Sequence, residues 1–365
     1  MTAQLDSFYP TRVDFGTHDE IHRAAAAALP ADVWDFVEGG AGREVTLRAN
    51  LEAFDRWRIL PEPMSGVGNP STRTELLGLA LETPILTAPF GGDAMFHPDG
   101  HLAVARAAQR RGALSIVPEA GSYSYEQVRE AGPAAARIAQ LHPFAHARAV
   151  ADRVRRAGFE ALCVTVDCPV GGFRTRNMGN RFDPDLRYFA GNLTGENGAP
   201  GVAEVFGQLL KHGGTVWDWH QLADAAAGFG LPWIAKGVLT PAAAERATAL
   251  GAAAIVVSNH GGRQADPAPA SLAMLPGIRA AVGPALPILF DSGIRTGSDV
   301  FLALALGADA VIIGRSAIYG LAAAGSAGVD RVLELLTEEL RTLMILSGAQ
   351  TLADIDRTRI VRAES

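Results

Sequence analysis

Five apolar runs of this chain end in residues able to do acid–base or anion chemistry. ALCVTVD closes on Asp167, PWIAKG carries Lys236, and AAIVVSN runs into Ser258-Asn259-His260-Gly261-Gly262-Arg263. PILFDSG ends in Asp291-Ser292-Gly293 and continues to Arg295, and AVIIGRS ends in Gly314-Arg315. An imidazole is a natural general base near neutral pH, and a carboxylate beside it stabilises its protonated form. His260 and Asp167 are the candidates for that pair. Glycine lets backbone N–H groups approach an anion, and arginine offers a planar fork of donors. The segments around Gly293-Arg295 and Gly314-Arg315 therefore read as a phosphate site. Lys236 reads as a surface lysine, which the preceding PWIA argues against, or as a Schiff-base nucleophile, which needs a carbonyl substrate.

These residues share one chemistry only if the fold carries them to one rim. After residue 80, short apolar runs alternate with alanine-rich segments of helical period. The runs span 83–89, 113–119, 135–141, 161–167, 232–237, 253–259, 287–293 and 310–316. Most are apolar on both faces, as strands of a covered parallel sheet are. HLAVARAAQRRG, HARAVADRVRRAG, PAAAERATALG and GSDVFLALALG lie between them, and several end in the glycine that commonly stops a helix. Eight such units predict an α/β (β/α)₈ barrel over residues 81–365, whose active site belongs at the C-terminal ends of the strands. An open doubly wound sheet is the rival, but no GxGxxG follows a first strand.

Two departures from the repeat frame the barrel. Residues 1–80 form an N-terminal helical extension, in which LPADVWDFVEGGAGREVTLRANLEAF reads as two short helices around a glycine-rich turn. The connection over residues 168–231 is long and rich in Gly, Asn and Asp, and is expected to be a lid over the strand ends.

Composition narrows the classes. Across 365 residues, 48% hydrophobic and 19% charged content supports a large core and excludes a mostly disordered chain. A net charge of −7 with no run of basic residues argues against a nucleic-acid partner. Cys163 and Cys168 are too few for a disulfide framework and read as reduced core thiols. The first fifteen residues carry no signal-peptide pattern, no apolar run is long enough to span a membrane, and VRAES is no peroxisomal address. The expectation is a soluble, cytoplasmic protein. HPFAH and HPDGH each space two histidines four apart, but proline argues against the helix a metal pair would need, so no metal is expected.

SNHGGRQ (258–264) together with PILFDSGIRTGSDVFLALALGADAVIIGR (287–315) resembles the FMN-dependent α-hydroxy acid oxidases and dehydrogenases, which include glycolate and mandelate oxidases. The resemblance runs from about residue 29 to SGAQTLADI near the C-terminus. It implies an FMN across the barrel mouth, its phosphate on Gly293, Arg295, Gly314 and Arg315 and its ribityl chain on Asp291. It places Gln140, Thr165 and Ser258 against the flavin ring, with the Pro89–Gly91 backbone by the reactive edge and Lys236 by the ring atoms that gain charge. It assigns the substrate carboxylate to Arg263 and Arg174, and proton abstraction from a 2-hydroxy acid to His260, with O₂ or another acceptor reoxidising the flavin. A homotetramer or octamer is implied as well.

Four positions depart from the pattern of that family. Phe36 and His142 stand where tyrosines are usual, Phe90 replaces a threonine, and Pro118-Glu119 replaces a serine pair. The base, both arginines and the lysine remain, so the resemblance implies retained redox chemistry in a reshaped pocket. His142 reads as a substitute donor for the missing phenol or as a surface residue, and Glu119 as a partner for a cationic substrate group or as solvent-facing. A bulky, aryl-bearing 2-hydroxy acid is the expected substrate. Oxidase, dehydrogenase and decarboxylating monooxygenase chemistry all stay open, as do a flavin-binding protein without turnover and a Schiff-base barrel acting through Lys236.

Overall fold

The computed structural model describes residues 15–195, 200–210 and 216–363. The signal-peptide reading falls mostly on residues 1–14 and part of the C-terminal address on 364–365, outside the described residues, as is part of the glycine- and asparagine-rich stretch at 196–199.

Eight parallel strands close a barrel: β1 (Ile85–Thr87), β2 (Ser115–Val117), β3 (Arg137–Leu141), β4 (Ala161–Thr165), β5 (Trp233–Val238), β6 (Ala254–Val257), β7 (Ile288–Phe290) and β8 (Ala310–Ile313). Closure comes where β8 pairs with β1, Ile313 opposite Thr87. Each strand overlaps one of the eight predicted runs, and most are shorter, because the last residues of a run leave the ladder to build the rim. The four predicted helical segments form Gly100–Arg111, Ala147–Arg156, Pro241–Ala249 and Gly297–Ala305.

Two apolar layers hold the barrel. Leu86, Ile116, Ile138, Ala161, Cys163, Ile234, Ala254, Val256, Leu289, Ala310 and Ile312 fill its interior. Their neighbours along the strands, among them Ile85, Val117, Ala139, Leu162, Val164, Ala235 and Ile255, face the surrounding helices. Side chains alternate along a strand, so the inward set dictates which later residues also point inward. One more inward step beyond Ile138 is Gln140, beyond Cys163 is Thr165, beyond Ile234 is Lys236, beyond Val256 is Ser258 and beyond Leu289 is Asp291. The same period that packs the barrel floor thus puts five polar residues in its mouth. Cys163 belongs to that floor, and both cysteines are buried free thiols.

The N-terminal arm is helical, with α1 (His18–Ala28), α2 (Ala31–Glu38) and α3 (Val45–Glu52), α2 and α3 being the two helices predicted around the glycine turn. Beyond it, Trp57–Ile59 pairs antiparallel with Ile360–Arg362, which ties the arm to the end of the chain. α1 packs on the last helix, Arg315–Ser347, which bends where Ala324 and Gly325 leave helical geometry.

α3 reaches the rim through a reciprocal amide pair. Asn50 Nδ2 donates to Asn259 Oδ1 at 2.8 Å, and Asn259 Nδ2 donates to Asn50 Oδ1 at 2.7 Å. Asn259 Oδ1 also accepts from the N–H of Gly262 at 3.1 Å, so the pair sets the turn that begins at His260. Both amides are buried. Asn50→Ala takes a buried partner from both amide atoms of Asn259, leaving them the Gly262 N–H and the Pro269 carbonyl, and we expect a loss of about 1–3 kcal/mol, read as an earlier denaturation midpoint in urea with unchanged slope.

The 168–231 connection is more than a loop. It contains the helices Thr175–Gly179, Val202–Leu210 and Trp219–Ala226, the last begun by a capping box between Asp218 and Gln221. No helix among the described residues is long and apolar enough to cross a membrane.

Candidate active site

His260 and Asp167 meet as the sequence suggests. Nδ1 of His260 lies 3.3 Å from both carboxylate oxygens of Asp167. His260 takes a left-handed backbone conformation (φ 60°), with its N–H donating to Ser258 Oγ at 3.0 Å. Asp167 has room only because residue 237 is glycine: a Cβ there would collide with the Asp167 carboxyl group. Burial lowers the His260 pKa, and this outweighs the opposing pull of Asp167. The imidazole is therefore neutral and ready to accept a proton at neutral pH. Asp167 itself stays ionised, since His260 and Lys236 overcome the cost of its burial.

Lys236 sits deeper. Its Nζ lies 3.2 Å from Asp291 Oδ2 and 3.3 Å from Ser258 Oγ, buried inside the barrel. Burial opposes its charge, but Asp291 and Asp167 more than restore it, and the pKa is raised. A lysine that holds its proton this firmly is a fixed cation and a poor Schiff-base nucleophile. Gln140 Nε2 donates to Thr165 Oγ1 at 3.1 Å, and Gln140 Oε1 accepts the Glu119 N–H at 3.1 Å.

The arginines fall into two groups. Arg263 and Arg174 stand over the Phe36 ring, at 4.8 and 5.7 Å from its centroid. Arg263 Nη1 donates to the carbonyls of Phe36 (2.6 Å) and Gly39 (2.9 Å). Arg174 Nε is buried and, among the described residues, has no hydrogen-bond partner. Burial lowers the pKa of both, and for Arg263 the neighbouring Arg174 and Arg315 add to it. A guanidinium does not give up its proton in a protein, so the pair holds an unmet demand for an anion. Phe36 stacks on Phe182 at 5.0 Å and faces Phe96 at 6.4 Å, while Phe90 packs on Phe96 at 6.0 Å and on His101 at 4.4 Å. The ring that replaces the usual threonine thus joins an apolar wall. Pro89 and Gly91 are half-buried at the end of β1.

Arg295 lies 5.8 Å from the Tyr319 ring and donates to the Ile294 carbonyl at 2.9 Å. Arg315 is committed elsewhere: Nε donates to Val37 O at 2.8 Å, Nη1 to Gly261 O at 3.0 Å and Nη2 to Gly39 O at 2.9 Å. It clips α2 to the His260 turn, a task that no local sequence pattern announces. Gly293 also has a second duty. At φ 103°, a Cβ there would meet the Asn50 carbonyl at 2.5 Å, so glycine is required for α3 to dock. Gly314 precedes the first turn of the last helix, with no side-chain cap.

Glu119 and His142 find each other. Glu119 is fully buried; its Oε2 accepts from the His142 N–H at 3.0 Å and meets His142 Nδ1 at 2.9 Å, and its Oε1 meets His146 Nε2 at 3.0 Å. Glu119 neither faces solvent nor keeps an oxygen free for a substrate cation, and His142 is no surface residue. His146 is a member of this cluster that sequence reasoning passes over. The HPFAH spacing is its signal, since the turn brings both imidazoles onto the one carboxylate of Glu119.

The comparisons with known proteins agree. The profile of the FMN-dependent dehydrogenase family matches residues 25–362. The chain is 37% identical over 354 residues to an L-lactate oxidase of Lysinibacillus sphaericus, covering 94% of this chain and 92% of that protein. It is 36% identical over 346 residues to a peroxisomal (S)-2-hydroxyacid oxidase of Arabidopsis thaliana, covering 94% and 95%. Among solved structures, a protein of Pediococcus acidilactici superposes with a TM-score of 0.89 at 34% identity, covering 97% of this chain and 96% of that one. A mandelate oxidase variant with 2-hydroxy-phenylacetamide superposes with a TM-score of 0.85 at 34% identity, covering 96% and 98%. With its closed barrel and rim of base, cations and glycines, the chain belongs to the FMN-dependent dehydrogenase family and is an FMN-dependent oxidoreductase.

Proposed function

We propose that the protein oxidises a 2-hydroxy acid with a bulky, aryl-bearing side chain to the 2-oxo acid, with O₂ as electron acceptor. The carrying observation is the His260–Asp167 pair beside two half-buried arginines that share the Phe36 ring and, among the described residues, form no salt bridge. The relatives named for lactate, 2-hydroxy acid and mandelate oxidation support the reaction class.

The residues present fit FMN. Among the described residues, Arg295 forms no salt bridge, and it stands beside the uncapped helix start at Gly314-Arg315, a combination suited to a phosphate. Asp291, Ser258, Thr165 and Gln140 offer polar contacts along the mouth, and Lys236 supplies positive charge at its floor. When bound, FMN takes up the two electrons released as the 2-hydroxyl becomes a 2-oxo group.

The side chains do the rest. Arg174 and Arg263 hold the carboxylate and orient the substrate. Asp167 occupies Nδ1 of His260, which leaves Nε2 to accept the hydroxyl proton. Asp167 then stabilises the imidazolium so formed. Phe36, Phe96 and Phe182 present aromatic surface beside the clamp, which supports a bulky side chain over a methyl group or hydrogen. The test is anaerobic bleaching of the bound flavin by a panel of 2-hydroxy acids. We expect aryl acids such as mandelate to reduce it with higher kcat/KM than lactate or glycolate, and equal or reversed preference would refute the substrate class.

A further inference from the structure

We propose that His142, seated on the fully buried Glu119 and backed by His146, is a positively charged hydrogen-bond donor that completes the substrate carboxylate clamp. The assignment rests on the reading of Arg174 and Arg263 as that clamp, and it explains how the pocket works with an unhydroxylated ring at Phe36.

Among the described residues Glu119 has no Lys or Arg partner; both its oxygens are satisfied by groups of the 142–146 turn. A carboxylate removed from water needs a countercharge, so a proton must reside on the imidazoles beside it. Glu119 takes Nδ1 of His142, and the His142 ring also stands beside the Cys168 thiol. With Nδ1 occupied by Glu119, Nε2 is the ring nitrogen that the Cys168 side chain and a ligand would share. Cys168 is in turn within electrostatic reach of Arg174 and Arg263 and directly follows Asp167 in the chain. The cluster also abuts the barrel mouth directly, because the Glu119 N–H donates to Gln140 Oε1 at 3.1 Å and His142 lies one inward step beyond Gln140.

The groups facing this cluster are few. Glu119 comes from the end of β2, His146 and the Phe144 ring from the same turn, Cys168 from beyond β4, and the Tyr125 phenol from the helix Tyr125–Ala131. Phe144 stacks on His142 at 5.4 Å and fixes the plane of the imidazole. Burial opposes charge on His142, but Cys168 and Glu119 outweigh it and raise its pKa, while the two histidines hold Glu119 below the usual carboxylate range against its own burial. A neutral phenol donates one hydrogen bond. A held imidazolium donates one and adds a full charge, and charge-assisted bonds are about twice as strong.

The experiment uses the FMN-loaded protein, with ligand binding read from perturbation of the flavin absorbance between pH 6 and 9. The probes are benzoylformate and pyruvate, a large and a small 2-oxo acid. In the wild type we expect affinity to be flat with pH, and ¹⁵N-histidine NMR to show His142 protonated across the range. In Glu119→Gln the carboxylate is gone, so the His142 pKa should fall below its wild-type value and affinity for both probes should fall about tenfold or more as pH rises. Glu119→Gln/His142→Asn removes the buried charge as well, guarding against a folding defect, and should bind weakly at every pH. Pyruvate binding with no benzoylformate binding would strike the bulky-substrate reading alone. Affinity for both probes that is unchanged by Glu119→Gln and by the double variant would overturn the role of His142, as would an NMR titration showing it neutral at pH 7.

Discussion

His260→Ala should leave FMN bound and the fold intact while slowing reduction of the flavin by about 10²–10⁴-fold, the usual worth of a positioned base. The cofactor contacts reside on other residues: Lys236 keeps its bonds to Asp291 and Ser258, and the turn keeps its shape through Asn259 and Asn50. Anaerobic stopped-flow bleaching at saturating substrate measures the step directly. A reduction rate within about threefold of wild type would remove His260 from the mechanism, since a base is worth far more than that. The pH dependence has a definite sign. Burial holds the His260 pKa below its ordinary value of 6.5, so the wild-type enzyme should lose activity only as pH falls through that lowered value. Asp167→Asn removes the group that opposes this shift, so the acid limb should move further down while the maximal rate drops.

Arg263→Lys should weaken the enzyme more than conservation of charge suggests. The guanidinium donates to two carbonyls, those of Phe36 and Gly39, and lies over the Phe36 face. Its planar fork satisfies these and still presents N–H groups to a carboxylate, whereas an ammonium has three donors on a flexible stem. Loss of a charge-assisted bond is worth about 1.5–3 kcal/mol, or about a 10- to 100-fold rise in KM, with a smaller change in kcat. The measurement is steady-state kinetics alongside FMN content. An unchanged KM would mean that Arg174 alone holds the carboxylate.

Much of this molecule is legible in its sequence because period-2 packing carries the chemistry. Ile234, Val256 and Leu289 point into the barrel, so Lys236, Ser258 and Asp291 must come after them there. The glycine–arginine signals are visible too, but they disclose only part of what these residues do. Gly293 makes room for α3 and Arg315 grips carbonyls of α2, and both duties depend on partners from the N-terminal arm. The same holds for Glu119 and His142. Each stands out as a departure, yet their pairing spans two different strand ends and no local spacing encodes it. Sequence periodicity specifies direction along one element; contacts between loops depend on where the barrel places them.

The amide pair that sets the His260 turn has a consequence for biosynthesis. Its two members lie 209 positions apart, so the arm emerges from the ribosome long before the loop it must hold. Until β6 is made, α3 has nothing to clasp, and a nascent chain can stack most of its early strands while catalysis is still impossible. A fragment that begins at the first barrel strand would lack Asn50, and the loop that carries the proton acceptor would lose one of the contacts that hold it.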